Sequence, residues 1–593
     1  MRWGSVVRIV PLALATCLAL SLPASAEDAA GAAGHASAAT SPKVGLSIPT
    51  VQVVNSSIDE TTLRSIFMGD VAGHADELAA LKAASIRVPE IRIDYATPEV
   101  QGVTETGSVV LRDVRLNKVA KGVAQAIIIG SYETTSSQGA TAKFGKISAE
   151  DFDIGGLLAF VGLVKGDPTS PRKALYRDLR TNGGTVSGPK ADCTLGPSSV
   201  MRVSVRPLKV SLVDMFALMK KVGEDKDTKP SKQDIATMVD FFVDIFDAVE
   251  VSPVKLGGFA CTGIDNDGKP IAIKLGSITA GAFARGRYPD FTVKDLAVDV
   301  PGDGSMSLGE FRFKGFDMSG PLATLKAAAG NIDEDWFKAN YRALVPAFDG
   351  ASLAKFAMDI PDPDNPGERF KAQIAKFDLT LKDWINAIPT DVATSASHIV
   401  ATLPDKTSDR QIQALLDYGI DKFDVGFDLG LNWNEAAQEL RLDRFSVTGV
   451  DMGSIVAASV IGGATRDLFS ADPTVALATS LALTLKRVKV DIKDAGLADI
   501  ILRAAAEEAH KDAAALRSAV ASMTQGTIIL FLGSAANSEK VATAVADFIK
   551  GKQSLSVTVA AKDPAGVSFD ALRAAQDDPT SLLDKVDIDA VAR

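Results

Sequence analysis

Histidine, cysteine and clustered acids are the side chains that could do chemistry, and their spacing in this chain is the first constraint on function. His35, His74, His398 and His510 stand far apart and without companion ligands, so none belongs to a readable metal or catalytic cluster. No G-x-S-x-G occurs, and no Gly-Lys pair is followed by Ser or Thr. That removes the hydrolase-elbow and phosphate-loop signatures. Asp265-Asn266-Asp267-Gly268 resembles the core of a calcium loop, but Gly263 stands where its first acid would be and Lys274 where its closing glutamate would be. A hairpin turn explains it better, and Pro361-Asp362-Pro363-Asp364-Asn365-Pro366-Gly367-Glu368 likewise reads as a proline-stiffened turn. The expectation is therefore no catalytic residue, no cofactor and no metal.

Two features remain. Cys193 and Cys261 are an even pair; in an oxidising compartment they suggest one disulfide, with two separate buried thiols as the alternative. Asp153, Asp317 and Asp451 recur at equivalent points of an internal repeat. Their expected task is to accept backbone N–H bonds where a strand turns into a helix, since no second acid recurs beside them to complete a calcium site.

The elements that must position these residues come from that repeat. LGEFRFKGFDMSG (308–320) matches LDRFSVTGVDMG (442–453), with further copies in FGKISAEDFDIGG (144–156) and LGSITAGAFARG (275–286). Two looser copies are IAKFDLTLKDW (374–384) and LKRVKVDIKDAG (485–496). The shared pattern is apolar-x-x-apolar-x-apolar, a Gly or Asp turn, then a short apolar run. Period-2 alternation marks a strand, and the three-residue gap predicts a β-bulge within Leu308–Phe311 and Leu442–Phe445. On this reading Phe311, Phe313, Phe445 and Val447 face a buried core. Phe423 to Trp433 alternates without a break and turns into Glu439 to Thr448, a hairpin; Val254–Gly263 and Pro270–Ala280 form another. The irregular spacing of the copies excludes a regular solenoid.

Ser231 to Ala248 carries one apolar stripe and reads as a helix, as does most of Leu497 to Lys550; Ser554 to Ala560 reads as a strand. The fold class expected is α+β: long antiparallel, bulged sheets with a helix-rich C-terminal region. The organisation expected is a signal peptide at 1–26, a flexible Ala/Gly leader at 27–42, an α+β region at 43–262, a β-hairpin repeat region at 263–465 and a helix-rich region at 466–593.

Arg2 and Arg8, an apolar core from Ile9 to Leu22 and the small residues Ala24 and Ala26 are the parts of a cleavable export signal. Cleavage after Ala26 removes two positive charges and no acid, so the net charge moves from −11 to −13. Such a surface is repelled by phosphate backbones, which argues against nucleic acid as a partner. Beyond the leader no run of 18 unbroken apolar residues occurs, so no spanning helix is expected. The localisation expected is the periplasm.

The C-terminal run SLSVTVAAKDPAGVSFDALRAAQDDPTSLLDKVDI (554–588), with the G-φ-D-M-G turns, resembles uncharacterised exported proteins of alphaproteobacteria. In outline these are similar to envelope proteins with long bulged sheets, some implicated in lipid handling. The resemblance implies location and architecture, and brings no catalytic residues. Three functional classes stay open: a non-enzymatic envelope protein holding a lipid or other apolar ligand along its sheet, a scaffold or interaction protein, and a hydrolase with an unfamiliar site. The last predicts converging acids or a Ser–His contact.

Overall fold

The computed structural model describes residues 43–96, 106–224, 230–265, 267–328, 331–362, 367–404, 410–533, 536–575 and 579–593. The expected signal peptide and leader lie outside them. The fold is α+β, and its dominant feature is one continuous antiparallel sheet of 27 strands. Its central part is a meander of eleven: β1 (Val254–Ile264), β2 (Pro270–Ala280), β3 (Phe291–Val300), β4 (Gly304–Phe313), β5 (Gly350–Pro361), β6 (Arg369–Ile385), β7 (Ile388–Thr402), β8 (Lys422–Asn434), β9 (Glu439–Gly449), β10 (Gly453–Gly462) and β11 (Thr484–Asp494). Each pairs with the next, and β12 (Ser554–Ala561) and β13 (Val586–Ala592) extend the sheet to its C-terminal edge. On the other side β1 pairs with Ala191–Leu195 and Ser198–Val205, which lead into the N-terminal strands. The division expected at 262/263 falls inside β1. That expected at 465/466 separates β10 from β11, which are hydrogen-bonded neighbours. The sheet therefore crosses both.

The helices follow their local signals. In α1 (Glu60–Phe67), Asp59 accepts from the Thr62 amide. Next come α2 (Ala75–Ala79) and α3 (Ile154–Val161), the latter capped by Asp153 through the Gly156 amide at 2.7 Å. A Ser231–Asp234 capping box opens α4 (Lys232–Ala248). Asp317 accepts from the Ser319 amide at 2.7 Å where helix Ser319–Ala328 begins. Asp451 departs from the expectation. It sits at φ 58° in the tight turn between β9 and β10, and no helix starts there. The side chain matters less at this position than the left-handed backbone, which Asp tolerates better than most residues.

At the C-terminal end α5 (Ala513–Leu532) and α6 (Ala536–Lys550) form a helical hairpin. By length and composition α5 is apolar enough to cross a membrane, although it holds no run of 18 unbroken apolar residues. Ser522, Thr524, Gln525 and Thr527 interrupt the run but carry no charge, so the mean over the helix stays high.

The three-residue apolar gap has two structural solutions. In β9 it is a bulge as expected: register against β10 shifts between Leu442 and Phe445. In β4 it is not, because pairing with β3 and with β5 runs through Leu308–Phe311 without a shift. Instead neighbouring strands carry the same gap at the same level. Val293/Leu296, Leu308/Phe311, Leu353/Phe356 and Ile374/Phe377 are all in register. Within β3, β5 and β7 the gap holds a residue in left-handed conformation: Asp295 (φ 53°), Lys355 (φ 55°) and His398 (φ 48°). One left-handed residue re-aims the side chains beyond it, so residues three apart return to the same face. From β3 to β7 adjacent strands slip together, so their registers on both sides of the crease agree; at β7–β8 the register shifts between Ala396 and Ile399. Gly276 belongs to the same line: a Cβ there would lie 2.8 Å from the Asp295 carboxylate.

Candidate functional site: an uncovered apolar sheet face

Residues directly paired across antiparallel strands project from the same face. Following the register therefore shows what each face presents. Beside the crease, one row runs Val293, Phe311, Leu353, Phe377, Ala396, Phe427 from β3 to β8. Across the crease, a second runs Leu296, Leu308, Phe356, Ile374, Ile399, Val425. The row flanking the first on its far side, and so on the opposite face, is Thr292, Arg312, Ser352, Asp378, Ser395, Asp428. The sheet is thus amphipathic across its width, not only along single strands. Its polar face carries ion pairs such as Arg312–Asp290 and Lys314–Asp378, each 2.8 Å. Pairs this exposed contribute little stability but keep that face in water.

The first row continues through Val447, Ile455 and Ile492 to Leu555 and Ala592. In the other direction it passes Ile278 and Leu256, then Ser198 and Thr181, to Ile147. Both ends are covered. At the N-terminal end Leu63 and Ile66 of α1, Leu78 of α2 and Leu158 of α3 form a core with Ile86, Val88 and Ala124. At the C-terminal end Val541, Ala544, Val545 and Phe548 of α6 pack on Ile492, Leu555, Val557 and Ala590.

Between these caps the face is only partly buried: Ala396 and Leu275 are 7% exposed, while other members stand open. Phe445, Val447 and Ile455 are 40%, 41% and 47% exposed, and Phe370 is 44% exposed. Phe311 and Phe313 are half-buried by their neighbours in the rows. The buried core expected around these four repeat residues is therefore absent. The patterning did specify one face, but the described helices pack on its ends and beside the rings near β3 and β4, leaving Phe445, Val447 and Ile455 open. Eleven strands at about 4.8 Å spacing make the meander roughly 50 Å wide along the sheet, and contiguous apolar surface on a monomer is ordinarily kept to a few hundred Å².

Aromatic rings thicken the face near β3 and β4. Phe291 stacks on Phe313 with centroids 5.2 Å apart, and Phe313 on Phe348 at 5.3 Å. Phe316, 6.0 Å from Phe313, stacks on Tyr288 at 4.7 Å, and Phe283 links Tyr288 to Phe246 of α4. Helix α4 is itself fixed to the strand end at Val205 by the Arg206 guanidinium, 2.7 Å from Asp244 and 2.8 Å from Asp247. That guanidinium holds the Asp247 carboxyl below its ordinary value.

Cys193 and Cys261 are bridged. They sit in a further apolar row with Ile273, Val298 and Met306. The bridge ties the N-terminal strands to the meander. His398 lies on the polar face, its Nδ1 3.1 Å from Asp424, beside Lys376, Ser395 and Ser446 at the rim of a cavity of about 440 Å³. Among the described residues no serine hydroxyl is hydrogen-bonded to a histidine, and no cluster of three or more His, Cys, Asp or Glu has metal-ligand geometry. His74 lies between Asp70 and Glu77 at 3.5 and 3.4 Å. The expected hairpin turn at 265–268 is held by Asp265, which accepts from the Asp267 and Lys269 amides at 2.9 Å. Asn266 and residues 363–366 of the proline turn lie outside the described residues.

A family model described as an uncharacterized protein matches residues 446–593, which span β10 to β13, the helical hairpin and the C-terminal cap. No curated protein matches the chain.

Proposed function

We propose that this protein is an exported, non-enzymatic carrier or holder of hydrocarbon chains, taking a lipid-class ligand along the uncovered apolar face of β1–β11. The observation that carries this reading is the register. Apolar rows stay in line through the crease and the bulges, strand after strand, yet helices pack on their two ends and, through Phe246, beside the rings near β3 and β4, while Phe445, Val447 and Ile455 stay exposed. Maintaining that alignment requires a phase slip in each strand from β3 to β7, taken up by a register shift at β7–β8, and the face so produced leaves Phe445, Val447 and Ile455 open to solvent. An acyl chain would bury the exposed side chains and needs few polar contacts in return. The disulfide in the same face suits an oxidising compartment, as the leader's export pattern does.

The test is native mass spectrometry and lipid extraction of the purified protein, together with titration of a fluorescent fatty acid. Hydrocarbon-bearing adducts and saturable probe binding that Phe445→Asp and Val447→Asp abolish are the expected results. A protein that purifies free of lipid and ignores the probe would overturn the reading.

A further inference from the structure

The helical hairpin at the C-terminal cap offers a second apolar surface, distinct from the rows. Helix α6 lies between two layers: one side packs on Leu555, Ile492 and Ala590, and α5 packs on it in turn. Helix Leu497–Glu508 and the turn Pro579–Leu582 also touch α5, and its remaining side is open. Met523 is 72% exposed, Leu530 81% and Phe531 61%. Ser522, Gly526 and Thr527 complete that outer stripe, all exposed. From Ser518 to Gly533 there is no charged residue. The one charge of the helix, Arg517, lies near its start, where it is paired with Asp499 and donates to the Ile549 carbonyl.

An uncharged stripe of this length narrows the occupant. A protein partner would meet a rim of charges and hydrogen-bonding groups around an apolar centre, whereas this face is chargeless along its length. Helices that lie on membranes ordinarily need a polar face of their own; here α6 takes that side. The chain as a whole carries a net charge of −11, so a surface of anionic lipid would repel it. The chemistry left is a neutral bilayer surface.

We infer that the outer stripe of α5 docks this protein on a zwitterionic lipid bilayer. Docking brings the C-terminal end of the apolar rows near the membrane, with α6 and α5 between them. The inference rests on the hydrocarbon-binding reading for its purpose but not for its test.

The full chain is floated with vesicles of phosphatidylcholine alone and of phosphatidylcholine with phosphatidylglycerol, at low and high salt. The parent is expected to float with the neutral vesicles at both salt concentrations. Met523→Asp, Leu530→Asp and Phe531→Asp should each lower the bound fraction by about tenfold or more, as for the loss of one buried apolar side chain. The same variants should keep the parent's thermal melting midpoint, which shows that they fold, and Phe445→Asp should still float. The inference is overturned if the parent stays out of neutral vesicles, if binding requires phosphatidylglycerol, or if the α5 variants float like the parent. It is also overturned if light scattering finds a dimer that Leu530→Asp dissociates, since a second copy then covers the stripe. Flotation without fatty-acid binding overturns the proposed function and leaves the docking surface standing.

Discussion

Cys193 and Cys261 stand directly opposite one another on neighbouring antiparallel strands, 4.0 Å apart at Cα, and their bridge spans 68 residues of chain. On the chain-entropy account a loop of that size stabilises by about 4 kcal/mol. Cys193→Ser with Cys261→Ser is expected to lower the denaturation midpoint of the parent, and added reductant should lower the parent to the same value. A parent indifferent to reductant would contradict this.

The crease makes an opposite pair of predictions at one position. Asp295 has φ 53°, a region that costs a β-branched residue about 1–2 kcal/mol or more and costs glycine almost nothing. Asp295→Val should destabilise and Asp295→Gly should be close to neutral in thermal melts. Equal losses in both would mean that the carboxylate, not the backbone, holds the crease. Asp451 (φ 58°) should behave in the same way, whereas Asp153→Ala, which removes a cap, should cost about 1 kcal/mol.

Stability and ligand binding should separate cleanly. Leu63 is 1% exposed in the N-terminal cap, so Leu63→Ala should cost about 2–5 kcal/mol while sparing fatty-acid binding. Phe445→Asp should do the reverse, since its ring is already 40% exposed. Parallel melts and probe titrations check both.

Asp247 gives a pH dependence of known sign. Its carboxyl is held below the ordinary 3.8 by the Arg206 guanidinium. A depressed carboxyl contributes stability that is complete above the ordinary value and is lost as pH falls through the lower, folded one. Acid melts of Asp247→Asn should therefore show a weaker fall in stability below pH 3.8 than the parent shows. Arg206→Met is the harsher change: it leaves Asp244, buried and otherwise bonded to the Lys209 amide, without its cation. The expected cost is about 3–5 kcal/mol.

By itself the sequence determined the strands, the helices and which residues of each strand belong together. Alternation in Phe423–Trp433, the capping residues Ser231 and Asp153, and the gap of three in each repeat copy are local signals, and local sterics and hydrogen bonding act on them directly. Cys193 and Cys261 were legible as a candidate pair for the same reason, that residue type and count need no geometry. Only the tertiary structure decided whether the gap at Leu308–Phe311 is a bulge or a shared crease, because that depends on the strands on either side slipping together. It also decided that Phe445 and Val447 lie at an open face. An apolar stripe encodes a preference to leave water, but whether a helix, a second sheet or a ligand meets it depends on how much of the rest of the chain is left to cover it. Here α1–α3 and α6 reach the two ends and α4 the rings near β3 and β4, which leaves Phe445, Val447 and Ile455 open.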